Sequence, residues 1–237
     1  MFLSVIIAAG GTGTRMRLGR SKQLADLAGR PVLARTLAVF DAHEAVRQIV
    51  VAIDADDIEL CRAEIVEKFC FAKITAVVPG ADSRAGSVRN ALAALDPAAD
   101  TVAVHDGARP LFPGELLTAG LEMLAGEAID GGSEAIDGVV FGVPVIDTVK
   151  ETDAGGFIIG TPDRSRLWAA QTPQIFSRRL LEKAYAQPAA LARATDDAQL
   201  VELAGGRVKM VMGSHENIKL TTPTDMLVAA EIIRRQG

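Results

Sequence analysis

The chain has 237 residues, 49% of them apolar, with one Trp, one Tyr and a formal net charge of −5. That length suits one large α/β domain or two small ones, and no Pro/Ser-rich linker divides it, so 1–237 reads as a single domain. The acidic balance excludes a general nucleic-acid binder, and a core so poor in aromatics must be built from Val, Ile, Leu and Ala, which favours a helix-covered parallel sheet over a sandwich or barrel.

The start, MFLSVIIAAGG, lacks a basic segment before its apolar run, which is too short to span a bilayer. Cys61 and Cys70 fall in or just after one predicted helix, where a rise of about 1.5 Å per residue puts them roughly 13 Å apart, too far for a disulfide. A reduced, cytoplasmic protein is expected, with no membrane partner.

Residues 3–8 read as a buried first strand. It runs straight into a loop carrying Gly10, Gly11 and Gly13 and then Arg15, Arg17, Arg20 and Lys22. Glycine lets backbone N–H groups approach phosphate oxygens closely, and Arg and Lys supply charge, so the loop suits a polyphosphate. It is neither a dinucleotide fingerprint, since Met16 stands where glycine is needed, nor a P-loop, since the chain reads Gly19-Arg20-Ser21-Lys22. Taken alone, it also fits a plain turn flanked by solvated cations.

Pro31 opens a helix with Val32, Leu33, Leu37 and Phe40 at helical spacing. A strand at 48–53 leads to a helix that Asp56 or Asp57 caps and that runs to about Phe69. A strand at 74–78, the turn Pro79-Gly80 and a helix at 85–95, capped by Ser83 or its neighbours, come next. The strand at 101–104 ends in His105-Asp106-Gly107-Ala108-Arg109-Pro110 and is followed by a helix at 114–124. Successive β-α units imply right-handed crossovers and a parallel sheet with ligands at the carboxyl ends of its strands.

The second half is less regular. Residues 139–144 form a strand, and 147–161 a hairpin turning at Gly155-Gly156. Such an arm, extending over about 147–163, is marginal alone and should pack on a second subunit. Helices at 180–185 and 196–203 and a strand at 208–212 follow. Pro223 then opens a last helix with Met226, Leu227, Ala230 and Ile233 on one face.

Eight motifs in order carry a resemblance over essentially the whole chain. They are AAG-x-x-GTRM with Lys22-Gln23 after it, Gly80-x-Asp82-x-Arg84-x-x-Ser87-Val88, His105-Asp106-x-Ala108-Arg109-Pro110, Asp147-Thr148-Val149-Lys150, Gln171-Thr172-Pro173-Gln174, Thr195-Asp196-Asp197 and Asn217-Ile218-Lys219. Together these resemble the 2-C-methyl-D-erythritol 4-phosphate cytidylyltransferases. The resemblance implies a Rossmann-like nucleotidyltransferase fold with a β-hairpin dimerisation arm, and transfer of CMP from CTP to the acceptor phosphate in the non-mevalonate isoprenoid pathway.

It also implies roles. Arg15 and Lys22 brace the transition state and the leaving pyrophosphate. Ala8, Ala9, Gly10, Gly13, Ala81, Asp82, Ser87 and Gly107 hold the nucleotide. Asp106, Arg109, Thr148, Arg164, Thr172 and Lys219 bind the sugar phosphate, with Arg164 reaching in from the other subunit of a homodimer. Mg²⁺ is expected on the CTP phosphates, with Asp106 the candidate protein ligand; no His/Cys/Asp cluster has zinc spacing. His105 supports the strand end, and the chain's end at Gly237 suggests a single activity.

Three departures stand out. The glycine loop is one residue longer than the family's commonest form, Ala81 replaces a frequent Gly, and Gly107 a frequent Ala. Because a longer loop also occurs in ribitol-5-phosphate cytidylyltransferases, that activity is the alternative, and a non-catalytic CTP-binding regulator is the alternative from another class.

Overall fold

The computed structural model describes residues 1–10, 22–126, 136–191 and 193–236, with Lys22 described through its backbone alone. β1 (Leu3–Ala8) is followed by a two-residue ladder, β2 (Asp26–Leu27) against β3 (Arg30–Pro31), and by α1 (Val32–Ala42). Next come β4 (Val46–Ile53), α2 (Ile58–Cys61), β5 (Ile74–Pro79), α3 (Arg84–Leu92), β6 (Thr101–Asp106) and α4 (Glu115–Leu124). The second half adds β7 (Gly138–Pro144), β8 (Glu151–Thr152), β9 (Ile158–Gly160), β10 (Trp168–Ser177) and α5 (Arg178–Tyr185). It closes with α6 (Pro188–Leu191), α7 (Asp197–Leu203), β11 (Val208–Met212) and α8 (Pro223–Gln236).

Seven strands make one sheet in the order β11-β7-β10-β6-β1-β4-β5. β1 is parallel to both β4 and β6, β4 to β5, and β11 to β7, whereas β10 runs antiparallel to β6 and to β7. The fold is therefore α/β and Rossmann-like, as expected. Side chains alternate along β1: Val5 and Ile7 join Leu33, Leu37 and Phe40 of α1 on one face, while Ile6 joins Val88 and Ala91 of α3 and Leu181 of α5 on the other. Burial on both faces is why the strand reads as an unbroken apolar run.

β10 corrects the sequence reading, which placed a motif at Gln171-Thr172-Pro173-Gln174 but no strand. Proline lacks the N–H that a ladder needs and so argues against a central strand. Here Pro173 lies in the interval between Ala170 and Gln174 where the register with β7 slips, so the ladder loses nothing at that residue.

Smaller differences have equally local causes. Ser83 does cap α3, accepting the N–H of Gly86, but the helix ends at Leu92 rather than Leu95. Neither Asp56 nor Asp57 caps by its side chain; a 3-10 turn, Ala55–Asp57, leads into α2, which widens into a π-type turn, Arg62–Glu67. Leu227 is 73% exposed, because Met226, Ala229, Ala230 and Ile233, at i, i+3, i+4 and i+7, form the stripe that packs on Leu27, Leu111 and Leu220.

A short hairpin forms inside the segment expected to be an arm. β8 and β9 pair antiparallel, and Asp153 Oδ1 accepts the N–H groups of Gly155 and Phe157, with Gly156 at φ +82° in the turn. Phe157, Ile158 and Ile159 are largely exposed on it.

Candidate functional site

The register of the parallel strands brings their carboxyl ends level. Ala8 stands opposite both Ala52 and Asp106, and Ile53 opposite Pro79. Beyond these ends the loops are stitched backbone to backbone: Ala9 N–H donates to Ala52 O (2.7 Å), Gly80 N–H to Ile53 O (2.6 Å) and Gly107 N–H to Ala8 O (2.9 Å). The space left is small. A Cβ on Gly80 would lie 3.1 Å from Ser87 Oγ, one on Gly10 3.3 Å from the same oxygen, and one on Gly107 3.1 Å from the Ala9 methyl.

Ser87 locks this edge, because its Oγ accepts the N–H of Ala81 at 2.9 Å and donates to Ser83 O at 3.1 Å. Ala8, Ala9, Gly10, Ala81, Ser87 and Gly107 therefore form one continuous shelf, with exposed Asp82 next in the chain. Gly13 and Arg15 lie outside the described residues, as does the side chain of Lys22.

Next to the shelf, at the tip of β6, lies a cluster of charges. Asp106, 6% exposed, accepts from Arg84 Nε at 3.0 Å through one oxygen and pairs with Lys219 Nζ at 2.8 Å through the other. Arg109 Nε approaches that second oxygen to 3.5 Å, close enough for ionic attraction, and makes no hydrogen bond among the described residues. Burial works against the Asp106 anion, yet Arg84, Lys219 and Arg109 outweigh it and hold its carboxyl well below the usual range. Burial likewise opposes the Arg84 charge, and Asp197, 2.7 Å from Arg84 Nη1, together with Asp106 raises its pKa regardless. Three cations around two carboxylates leave one positive charge uncompensated.

The segment carrying Lys219 is fixed by backbone. Arg109 Nη1 donates to Asn217 O (2.7 Å) and Leu220 N–H to Ala108 O (2.9 Å), so 217–220 runs along 106–109. β10 joins from the other side: Asp106 N–H donates to Thr172 Oγ1 at 3.0 Å, and Asn217 Nδ2 to Thr172 O at 2.9 Å. His105 is the footing. Its Nε2 lies 3.0 Å from Arg109 O, and since a carbonyl only accepts, Nε2 carries the proton and Nδ1 is left an acceptor with no partner among the described residues. Burial pushes its pKa down to about 4, so the ring is neutral at pH 7. This matches the supporting role read from the sequence.

Of the expected acceptor residues, Asp106, Arg109, Thr172 and Lys219 come together. Thr148 is exposed, and Arg164, also exposed, donates to Ile146 O at 2.5 Å across the base of the arm. Arg84, Asp197 and Asn217 belong to the cluster and carried no assigned role from sequence, although each stands inside one of the recognised motifs.

The arrangement does not fit a metal ion held by protein ligands. Both Asp106 oxygens already face cations, and among the described residues no group of three or more His, Cys, Asp or Glu could hold a metal. This speaks against Asp106 as a metal ligand. Chemically, a shelf of backbone and small side chains beside a net-positive pocket suits two ligands in contact, one flat and one a compact phosphate.

Comparison with known proteins gives the family. Residues 3–235 match the family model of 2-C-methyl-D-erythritol 4-phosphate cytidylyltransferase (IspD). The chain is 42% identical over 240 residues to the enzyme of that name from Syntrophotalea carbinolica, covering 100% of this chain and 98% of the relative. It is 39% identical over 235 residues to that from Alkaliphilus metalliredigens, with 99% and 94% covered. The solved structure of 4-diphosphocytidyl-2C-methyl-D-erythritol synthase from Anaerococcus prevotii superposes with a TM-score of 0.82 at 32% identity, covering 99% of each chain. The chain belongs to the 2-C-methyl-D-erythritol 4-phosphate cytidylyltransferase family.

Proposed function

We propose that the protein transfers the cytidylyl group of CTP to 2-C-methyl-D-erythritol 4-phosphate, giving 4-diphosphocytidyl-2-C-methyl-D-erythritol and pyrophosphate. A phosphate oxygen of the acceptor attacks the α-phosphorus, the α–β P–O bond breaks, and pyrophosphate carries away the electron pair. The acceptor is already an anion near neutral pH, so the reaction needs alignment and charge stabilisation rather than a general base. The observation that carries this reading is the net-positive ring of Arg84, Arg109 and Lys219 around Asp106, set directly beside the shelf of Ala8, Gly10, Ala81 and Ser87.

In this reading CTP lies on the shelf with its base against the Ala81 and Ser87 edge. Arg109 and Lys219 take the acceptor phosphate, and Asp106 and Thr172 take its hydroxyls. The unbonded Nε of buried Arg109 supports the first assignment, since a phosphate would give that donor an acceptor. Arg15 and Lys22 stabilise the charge that develops on the α-phosphate and the leaving group. A divalent cation, Mg²⁺ by preference, would be held mainly by the CTP phosphates and would supply charge neutralisation there.

The exposed apolar residues of the arm, Phe157, Ile158 and Ile159, support a homodimer in which Arg164 and Thr148 serve the neighbouring site. The unpaired thiols of Cys61 and Cys70 suit the cytoplasm, and among the described residues no helix is long and apolar enough to cross a membrane.

The ribitol alternative rested on the longer glycine loop, which falls outside the described residues, and the family match over 3–235 favours the erythritol acceptor. Pyrophosphate release with CTP and Mg²⁺ tests the reading. Turnover is expected with 2-C-methyl-D-erythritol 4-phosphate and little with ribitol 5-phosphate. The reverse preference overturns the acceptor assignment, and nucleotide binding without turnover on either overturns the enzyme.

A further inference from the structure

Arg84 is shared. Its Nε serves Asp106 at the tip of β6, and its Nη1 serves Asp197 at the first turn of α7. Asp197 is fully buried, and its other oxygen accepts a short hydrogen bond from the hydroxyl of Tyr185 on α5. Tyr185 is itself 4% exposed. Burial and the neighbouring carboxylate raise its pKa, so it remains a donor.

α7 is in turn tied to β10. Gln174 Oε1 accepts the N–H of Ala198, and Gln174 Nε2 donates to Asp196, the residue that caps the helix. Three elements, α5, α7 and β10, thus fix one carboxylate that no assigned ligand contact uses.

A buried carboxylate is costly unless it is paired and hydrogen-bonded, and this one spends its pairing on a single guanidinium. A guanidinium bound through one edge can swivel about that contact; bound through two edges to carboxylates from different elements, its plane is set. We propose that Asp197 and Tyr185 are positioning residues for the transfer: they hold the plane of Arg84 so that its Nε donates to Asp106, and so aim the carboxylate that receives the acceptor. The inference rests on the reading of Asp106 as the acceptor-facing carboxylate.

With Asp197 neutralised, Arg84 has only Asp106 to pair with and turns more of its fork onto it. The carboxylate is then drawn away from the acceptor hydroxyls, while the shelf around Ser87 and Gly80 is untouched. The effect belongs in acceptor affinity, not in CTP affinity.

The test is steady-state kinetics of Asp197→Asn and Tyr185→Phe, with the acceptor and CTP varied separately. Asp197→Asn is expected to raise the acceptor KM about tenfold and Tyr185→Phe about threefold, with the CTP KM changed by less than about twofold, on the scale of a lost charge-assisted and a lost neutral hydrogen bond. The decisive arm repeats Asp197→Asn in an Arg84→Ala background. A residue acting through Arg84 has no further effect there, whereas an independent structural role persists in full.

Tyr185→Phe removes one oxygen and carries the test should Asp197→Asn not fold. Equal rises in both KM values, an unchanged acceptor KM, or full additivity with Arg84→Ala overturns the proposal. Asp106→Asn is the control for its footing: an unchanged acceptor KM in that variant overturns the assignment of Asp106 and the inference with it, whereas a raised one beside a silent Asp197→Asn overturns the inference alone.

Discussion

Around Gly10, Gly80 and Gly107 the strand-end edge of the sheet is made of backbone and small side chains, whereas at Asp106, the last residue of β6 and the one before Gly107, it is made of charges that already have partners. The first region works by leaving room: a methyl added at Gly80 or Gly107 would come within 3.1 Å of a neighbour. The second works by holding charges still. Arg84, Lys219 and Asp106 face one another before any ligand arrives, and a substrate phosphate must compete with Asp106 for its cations. In the proposed reading, space selects a flat base and a stretched triphosphate, and pre-paired charge selects a compact dianion carrying hydroxyls.

The comparison breaks most visibly at the cation it lacks. Among the described residues the shelf has no cation stitched into it, and the proposed reading gives the charge on the nucleotide side to Arg15 and Lys22. Lys22→Ala is expected to lower kcat by about 10²- to 10³-fold, the usual cost of one preorganised donor to developing charge. CTP affinity, measured by calorimetry, should change only slightly, because the lysine acts as the α–β bond breaks. Equal losses in binding and turnover would contradict that role.

On the charged side, Lys219→Ala removes a donor that is 40% exposed at its side chain and 2.8 Å from Asp106. A hydrogen bond to a charged group is worth about 1.5–3 kcal/mol, so kcat/KM for the acceptor should fall by roughly 10- to 100-fold. The CTP KM should hold. A matching loss for CTP would mean that the two regions are not separate.

The charged side also rests on a neutral footing, and acid tests that. The unfolded His105 titrates near its ordinary 6.5 and the folded one near about 4, so between those values the unfolded chain binds the extra proton. Stability is complete above about 6.5 and declines as pH falls toward 4, by about 2 kcal/mol between pH 7 and 5. Urea titrations at the two pH values should show the decline in the wild type and a much flatter response in His105→Gln. An equal slope in both would assign the acid sensitivity elsewhere.

Much of both regions was legible beforehand, for different reasons. The strand, the glycine loop and the capped helix behind Gly80 show in sequence as pattern and spacing, but the loop alone also fits a plain turn, and it was the resemblance that marked Ala8, Gly10, Ala81 and Ser87 as one nucleotide edge. On the acceptor side the resemblance named residues such as Asp106, Arg109, Thr172 and Lys219 but not the wiring between them. Nothing in the spacing of Arg84 and Asp197, which are 113 positions apart, says that they touch. β10, which pins Asp106 through Thr172, was hidden by Pro173, whose cost to a ladder vanishes only where the register slips. Leu227 failed through simple geometry, being one residue off the stripe that Met226 begins.

The smallest expected effect is the finest probe of the division. Ser87 is buried; its Oγ links Ala81 N–H to Ser83 O and stands 3.1 Å from where a Gly80 side chain would begin. Ser87→Ala removes the acceptor for Ala81 N–H without adding bulk, so the base edge of the shelf loosens. One neutral hydrogen bond corresponds to about 1 kcal/mol, so CTP should bind roughly fivefold more weakly while the acceptor KM stays as it was. Gly80→Ala should act in the same sense by pushing that oxygen aside. If instead either variant moved the acceptor KM as much as the CTP KM, shelf and cluster would be one mechanical unit, joined through α3, which carries Ser87 on one face and Arg84 at its start.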